Sequence, residues 1–461
     1  MPRHRTNLPI RSRTGLPHHQ ERGVVIMLVA VVMLFVVGAM AALSIDVVTL
    51  YTARSEAQLA ADGAALAAAR VIANSGATSD PTGAVLTTVT SSTGLAAAIA
   101  SQVAAGNQVG GTQLTATNVT VTFGNTTPPP YNPTVTVKIQ ANLPAFFARI
   151  WGTTIVTVSA SATAEAYNPG VYESGAIPVA PICVKPWLLP NMSPNPGPTN
   201  PQIFDPSSGA ILDTNLLGWE TPAGFGSTRL RTKCSTNNGG TANCLPATSN
   251  TPAPWQYYPG TTDPATGSFP APSSSSVVCP GCVGFNSYQL SIAGCVQTPI
   301  SCYSSAPPGP AQTINVDTTG TPTDADTSTA VNGLTHATAA GQGDSIDTAL
   351  TSPPFQFVAG SDNPIPGLAG NVMMVSDSLV TVPVIDTSTW PPATYPQVQI
   401  IGFVQLFLNP LGDPTPPSGH IRTEVINMVG CGTLAGTLNP TQTPIIGNGA
   451  SPVAVRLISP P

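Results

Sequence analysis

The sequence predicts an α+β protein with a single N-terminal transmembrane helix. That helix continues into an alanine-rich helix, then a small α+β domain, then a β-rich, proline- and glycine-rich exported region. Three observations carry this reading. Val24 to Ile45 are 22 consecutive residues without a charge. The apolar period changes from helical to two near residue 119. Of the chain's 50 prolines, 40 fall after residue 177, too densely for long helices.

The first 23 residues form a basic cytoplasmic leader. Five arginines (Arg3, Arg5, Arg11, Arg13 and Arg22) face one acid, Glu21, for a net +4, while the remainder of the chain carries a net −10. Residues 24–45 span about 33 Å as a helix, enough for a hydrocarbon core of about 30 Å. The arginines before the span and Asp46 after it place the N-terminus in the cytoplasm. The alternative is a cleaved signal peptide with a small-x-small site at Ala39-Met40-Ala41, but the apolar run is long for one.

Residues 46–73 continue the helix. Leu43, Val47, Leu50, Ala53, Ala57, Ala60, Ala64, Ala67 and Val71 recur at steps of three or four, and the next proline is Pro81. Gly38 and Ala42 form a small-xxx-small pair within the span, and Ala57, Ala60, Ala64 and Ala67 extend a close-packing face beyond it. This stripe serves equally for docking on the chain's own next domain or on a partner helix.

Residues 74–170 form the small α+β domain. A Gly/Ser/Thr-rich connector (74–91) leads to a short helix at 92–107, then to alternating strands around Val119–Phe123, Val135–Ile139 and 153–167. The run LPAFFARIW (143–151) suits a helical turn. Residues 171–461 form the Pro/Ser/Thr-rich β region, with its clearest strands at Leu379–Ile385, Val398–Leu408 and Ile421–Val429. Stretches 190–208, 246–276 and 303–345 read as irregular.

Charged residues make up only 8% of the 461, against roughly 25% in soluble domains, and the net charge is −6. A nucleic-acid partner is excluded by that balance, and a cytosolic enzyme with charged helical surfaces fits poorly. The eight cysteines, Cys183, Cys234, Cys244, Cys279, Cys282, Cys295, Cys302 and Cys431, all follow the span, as expected for disulfides in an oxidising compartment. Cys279-Pro280-Gly281-Cys282 has the spacing of a redox dithiol but lacks the strand-then-helix context. Cys279, Cys282, Cys295 and Cys302 could offer four thiolates to zinc, at irregular spacing. Structural disulfides are the preferred reading.

Only His336 and His420 lie beyond the span, and no nucleophile-elbow, zinc-protease or phosphate-loop motif occurs. No catalytic, cofactor or metal residue is therefore assigned, and no small-molecule substrate is identified. Asp317, Asp324, Asp326, Asp344 and Asp347 could supply oxygen ligands to calcium, but without EF-hand order they read as solvated loop acids.

Residues 21–73 carry an ordered set of elements. Arg22-Gly23 precedes the span and Asp46 ends it; Leu50-Tyr51 with Arg54 follows, then Gln58-Leu59-Ala60-Ala61-Asp62-Gly63-Ala64-Ala65-Leu66-Ala67. This segment resembles the N-terminal domain of TadG-like Flp (tight-adherence) pilus-assembly proteins. The resemblance implies a non-enzymatic, single-pass protein of the bacterial inner membrane that assembles or anchors a Flp-type pilus. Its partners would be the bilayer and pilus-assembly proteins or pilin. Two family-related features are missing. Leu28 stands where a prepilin site has glutamate, so pilin-like cleavage after Gly23 is not expected. Asp386-Thr387-Ser388-Thr389-Trp390 fails the Asp-x-Ser-x-Ser pattern of a metal-dependent adhesion module. The alternative function is an adhesin or surface-binding module carried on the same kind of anchor.

Overall fold

The N-terminal helix, Gln20–Asn74, is 55 residues long, an uninterrupted rod of about 82 Å. The structure is a computed structural model that describes residues 20–80, 82–125, 132–169, 177–193, 202–206, 209–218, 229–232, 256–262, 269, 271–272, 282–302, 313–317, 322–347, 353–387, 397–415, 420–431, 444–447, 449 and 451–458. Alanine has the highest helix propensity and no proline interrupts the run, so nothing local ends the rod before Asn74. It stops where Gly76 takes a left-handed φ of 85° two residues on, the usual glycine exit from a helix. A Cβ there would lie 3.1 Å from the carbonyl of Ile426, so glycine also permits a close backbone approach.

The upper half of the rod packs on a four-stranded antiparallel sheet ordered Ala454–Ile458, Ile155–Tyr167, Thr134–Pro144, Val119–Gly124. Strict alternation turns Val135, Val137, Ile139, Ala141 and Leu143 inward on one strand, and Val158, Ala160, Ala162 and Ala164 on the next. Alanines of the rod therefore meet alanines of the strand, which lets helix and sheet approach closely. The gain is mainly dispersion between close-packed atoms, since each alanine buries little area. The helix Leu95–Ala105 covers the rod from another side and buries Ala96, Ala100 and Ala104.

The 134–167 hairpin runs alongside the rod. Ile155 pairs with Pro144 near its tip, and Gln58 Nε2 donates to the carbonyl of Ser161 further up. From Asp46 to Gln58 the helix rises about 18 Å; from Ile155 to Ser161 a strand rises about 20 Å. The two elements therefore climb in step, and the hairpin tip lies level with Asp46.

The second unit is built on a closed ring of six strands. Trp187–Pro190, Gln256–Pro259, Arg229–Thr232, Ile421–Gly430, Gln397–Leu408 and Leu379–Ile385 pair in that order, the last rejoining Trp187–Pro190, and Thr313–Asn315 adds to the Gln397–Leu408 strand. The three strands read from the sequence here are present, each within a residue of its expected end. Two helices, Ser287–Ala293 and Asp324–Thr335, share a core with the ring through Tyr288, Ile292, Ala330, Val331 and Leu334. A second core continues from the rod alanines through Phe355, Phe357 and Phe407 into the ring, with Phe357 stacked on Phe407 at 5.0 Å.

Several local expectations are corrected. The connector 74–91 contains a helical turn, Ala84–Val89, which buries Leu86 and Val89. The stretch 303–345 holds the helix Asp324–Thr335, started by a reciprocal capping box between Thr323 and Asp326. Composition hid it because its buried face uses Thr327, Ala330 and Thr335 beside Val331 and Leu334. The stretch 246–276 contains the strand Gln256–Pro259. In 143–151 the strand runs on to Pro144, and only Ala148–Trp151 is helical, as a 3-10 turn. The final strand, Ala454–Ile458, crosses back to the first sheet, where Arg456 Nε bonds Glu165 Oε2 at 2.9 Å and stacks over Tyr167.

Candidate functional site: the rod, its collar and its socket

The rod divides at Asp46. Below it, every large apolar side chain from Val24 to Phe35 is more than half exposed. Among the described residues nothing lies within 4 Å of where a Cβ on Gly38 would be, and Ala42 is half-buried. Above it, Ala57, Ala60 and Ala64 are fully buried against the chain's own sheet and helix, and Ala67 is half-buried. The small-residue stripe is thus taken up within the chain above Asp46, while its continuation through Gly38 stays open.

Asp46 is itself 5% exposed, an unusual degree of burial for a carboxylate. Its two oxygens accept from the backbone N–H groups of Phe146, Phe147 and Ala148, the last at 2.7 Å. These are the donors that open the 3-10 turn Ala148–Trp151 and would otherwise lack partners. One side chain at the end of the apolar run thereby fixes the hairpin tip to the rod. Nearly three turns of helix higher, Glu56 Oε2 accepts from the N–H of Gly110 at 2.7 Å. Between these two clamps lies a cleft of about 340 Å³ lined by Val48, Leu50, Thr52, Leu143 and Phe146. Together the clamps form a collar around the rod where it leaves the apolar span.

At its other end the rod enters a buried polar socket. Asn427 Nδ2 donates to the carbonyl of Ala73 and to Gln405 Oε1; Gln405 Nε2 donates to Asn74 Oδ1, and Asn74 Nδ2 donates to the carbonyl of Met374. Ser79 Oγ accepts from the N–H of Met428, and Asn168 Nδ2 donates to the carbonyls of Thr78 and Met428. Carbonyls at a helix C-terminus have no partner within the helix. Here the ring strands supply one, so the rod, the first sheet and the ring are joined by hydrogen bonds as well as by core packing.

The remaining sequence candidates fall as follows. Cys183 is bonded to Cys295, and Cys302 to Cys431, with Cα–Cα distances of 4.4 Å and 5.6 Å. Cys282 is also disulfide-bonded. Cys295 and Cys302 therefore each pair with a distant cysteine, and the four-thiolate cluster with Cys279 and Cys282 does not form. Cys234, Cys244, Cys279 and the leader 1–19 lie outside the described residues. The five aspartates do not converge. Asp326 caps its helix, while Asp344 accepts from the N–H of Gly360, Asn363 Nδ2 and Ser376 Oγ. Among the described residues no three His, Cys, Asp or Glu side chains gather at metal-binding distance.

His336 caps a helix with a left-handed φ of 58°, and its Nε2 lies 3.2 Å from Asp377 Oδ2. The neighbouring cleft is lined by Phe285, Thr329, Asn332, Gly333, Ala337 and Thr338, which offer neither a serine nor a free thiol. Lys185 is buried, and burial lowers its pKa to about 8 against the opposing charge of Asp377. Its ammonium donates to the carbonyls of Ile292 and Gly294, closing the end of a helix. Tyr257 and Tyr288 share Thr327 in a buried hydroxyl cluster, and burial raises the pKa of both. These groups hold structure together.

The exposed span, the clamp on Asp46 and the buried alanines all belong to one continuous stretch of the rod, and that stretch has a known counterpart. Residues 23–71 match the TadE/G-like Flp pilus-assembly family. The match starts at the glycine before the span and ends three residues short of the end of the rod. No curated protein and no solved structure matches the chain. The TadE/G-like segment is thus the helix that is long and apolar enough to cross a membrane, with its alanine-rich continuation, in a family associated with the cell envelope and in general non-enzymatic. The sheet, the socket and the ring lie outside the match.

Of the residues that build this site, sequence reasoning singled out Asp46 only as the end of the span, and it missed Asn427, Gln405 and Asn168. Asp46 carried a usable signal, a lone acid directly after an uncharged run. Asn427 and Gln405 are amides within largely apolar strands and Asn168 directly follows a strand, and nothing local marks their shared target.

Proposed function

We propose that the protein is a single-pass inner-membrane protein that assembles or anchors a Flp-type pilus, with its N-terminus cytoplasmic and residues 46–461 outside. It works by contact, without catalysis. The observation that carries this reading is the coincidence of the TadE/G-like match with the stretch that is bare below Asp46 and clamped above it. A helix bare along its apolar length, with Gly38 and Ala42 allowing close approach, suits a membrane partner helix. A rod locked at collar and socket transmits position from that helix to the exported ring.

The test is deletion of the gene and complementation with the full chain or with Gly38→Leu. The proposal expects loss of pili on deletion, rescue by the full chain, and recovery of pilus-assembly proteins or pilin with the native protein but not with Gly38→Leu. Normal piliation after deletion, with loss of attachment to a surface, would instead assign the adhesin role. Orientation is read separately: a phosphatase reporter fused after Ala73 should be active and one fused before Glu21 inactive.

A further inference from the structure

The tip of the long hairpin exposes large apolar side chains that the described residues leave uncovered. Phe146 is 63% exposed, Ile150 73% and Ile155 61%, and Arg149 among them is exposed too. Isolated apolar residues on a surface need no explanation, but three on one short tip form a patch. The tip is also held in place. Its backbone is bonded to Asp46, the residue that follows the last apolar residue of the span, through three N–H groups.

That anchorage sets the tip's depth. A span of 22 residues covers about 33 Å, slightly more than a hydrocarbon core of about 30 Å, so Asp46 lies at the boundary between acyl chains and headgroups. A segment bonded to Asp46 sits beside a helix only 10–12 Å across, at the same level. Aromatic and aliphatic side chains with an arginine among them suit that layer, where the ring or chain enters the acyl region and the guanidinium reaches phosphate. The cleft beside the tip, walled by Val48, Leu50, Leu143 and Phe146, opens at this height as well.

We infer that the hairpin tip 145–155 is a second membrane contact, a foot that rests in the lipid interface of the leaflet where the rod emerges. The occupant of the patch is lipid, by continuity with the apolar span to which the tip is bonded. Two points of contact would hold the rod at a fixed tilt and rotation, which a lone helix cannot do by itself. The inference rests on the membrane-span reading and is independent of the pilus role.

The full-length protein carrying Phe146→Trp is reconstituted into vesicles of phosphatidylethanolamine and phosphatidylglycerol. The lipids are brominated at either shallow or deep acyl positions, and the emission added by the new tryptophan is compared with wild type. Shallow bromines should quench that added emission at least about twofold and deep bromines much less, as for an interfacial side chain. Leu34→Trp, at the middle of the span, serves as the reference and should be quenched by deep bromines. If Leu34→Trp is quenched while Phe146→Trp emits like a water-exposed indole, the foot does not exist. If Phe146→Trp is blue-shifted but untouched by either lipid, the patch is covered by a second copy of the chain, and the lipid proposal falls. If neither is quenched, the membrane-span reading fails and takes the foot with it.

Discussion

The side-chain amide of Asn427, on a strand of the ring, donates at 2.5 Å to the carbonyl of Ala73, in the last turn of a helix that begins more than seventy ångströms away. It also donates to Gln405, which donates in turn to Asn74. One strand residue thus completes the end of the rod and orients a second amide that does the same.

Asn427→Leu removes the donor to the buried Ala73 carbonyl, while Gln405 Oε1 still faces the Ser451 hydroxyl at 3.5 Å. A buried polar group stripped of its partner costs about 1–3 kcal/mol, and a loss of that size is expected. Chemical unfolding of the two proteins in the same detergent measures it. A change below about 0.5 kcal/mol would mean that the socket contributes little.

Asp46→Asn keeps the shape of the clamp but replaces two charged acceptor oxygens by one neutral oxygen and an amide donor. Charge-assisted bonds are roughly twice as strong as neutral ones, so the tip should loosen by about 1–2 kcal/mol. Amide exchange at Phe147 and Ala148 should then quicken by about tenfold, since 1.4 kcal/mol is a factor of ten, while exchange in the alanine-packed rod stays unchanged. Equal exchange rates at the tip in both proteins would count against the clamp.

The Cys183–Cys295 and Cys302–Cys431 bridges close sequence separations of 112 and 129 residues. Loops of that size give an entropic contribution of about 4–5 kcal/mol each in the chain-entropy model, and measured losses usually run about 2–5. The double change Cys302→Ser with Cys431→Ser should therefore lower the unfolding free energy by about 2–5 kcal/mol, with lost protection concentrated in the ring. In native protein kept free of reductant, peptides containing Cys183, Cys282, Cys295, Cys302 and Cys431 should resist thiol labelling; ready labelling of these positions would refute the pairing.

Lys185 links stability to pH. Burial lowers its pKa to about 8 from its ordinary 10.5, with the Asp377 carboxylate opposing the shift. Between those values the unfolded chain binds more protons than the folded one, so this contribution rises with pH through the window. Below the folded value both states are protonated, and the folded state carries the full cost of a buried ammonium. Relative to Lys185→Met, the wild type should gain on the order of 3 kcal/mol between the two pH values. Unfolding curves for the two proteins that run parallel across that range would contradict it.

By itself the sequence determined the features that depend on neighbours along the chain. The 22-residue uncharged run, the basic leader and the alanine stripe at helical period each follow from local composition, which is why the rod and its family resemblance were legible. The strands Leu379–Ile385 and Ile421–Gly430 were legible for the same reason, being apolar, β-branched and free of helix-favouring periodicity. Tertiary structure alone decided which residues close the design. That Asp46 would take its donors from a turn a hundred residues later, and that Asn427 would finish a helix ending at Asn74, are matters of which elements meet. The return of Ala454–Ile458 to the first sheet and the pairing of Cys302 with Cys431 are decided in the same way. A hydrogen bond or a disulfide depends on distance in space, and residues this far apart in the chain carry no local mark of the partner that packing brings to them.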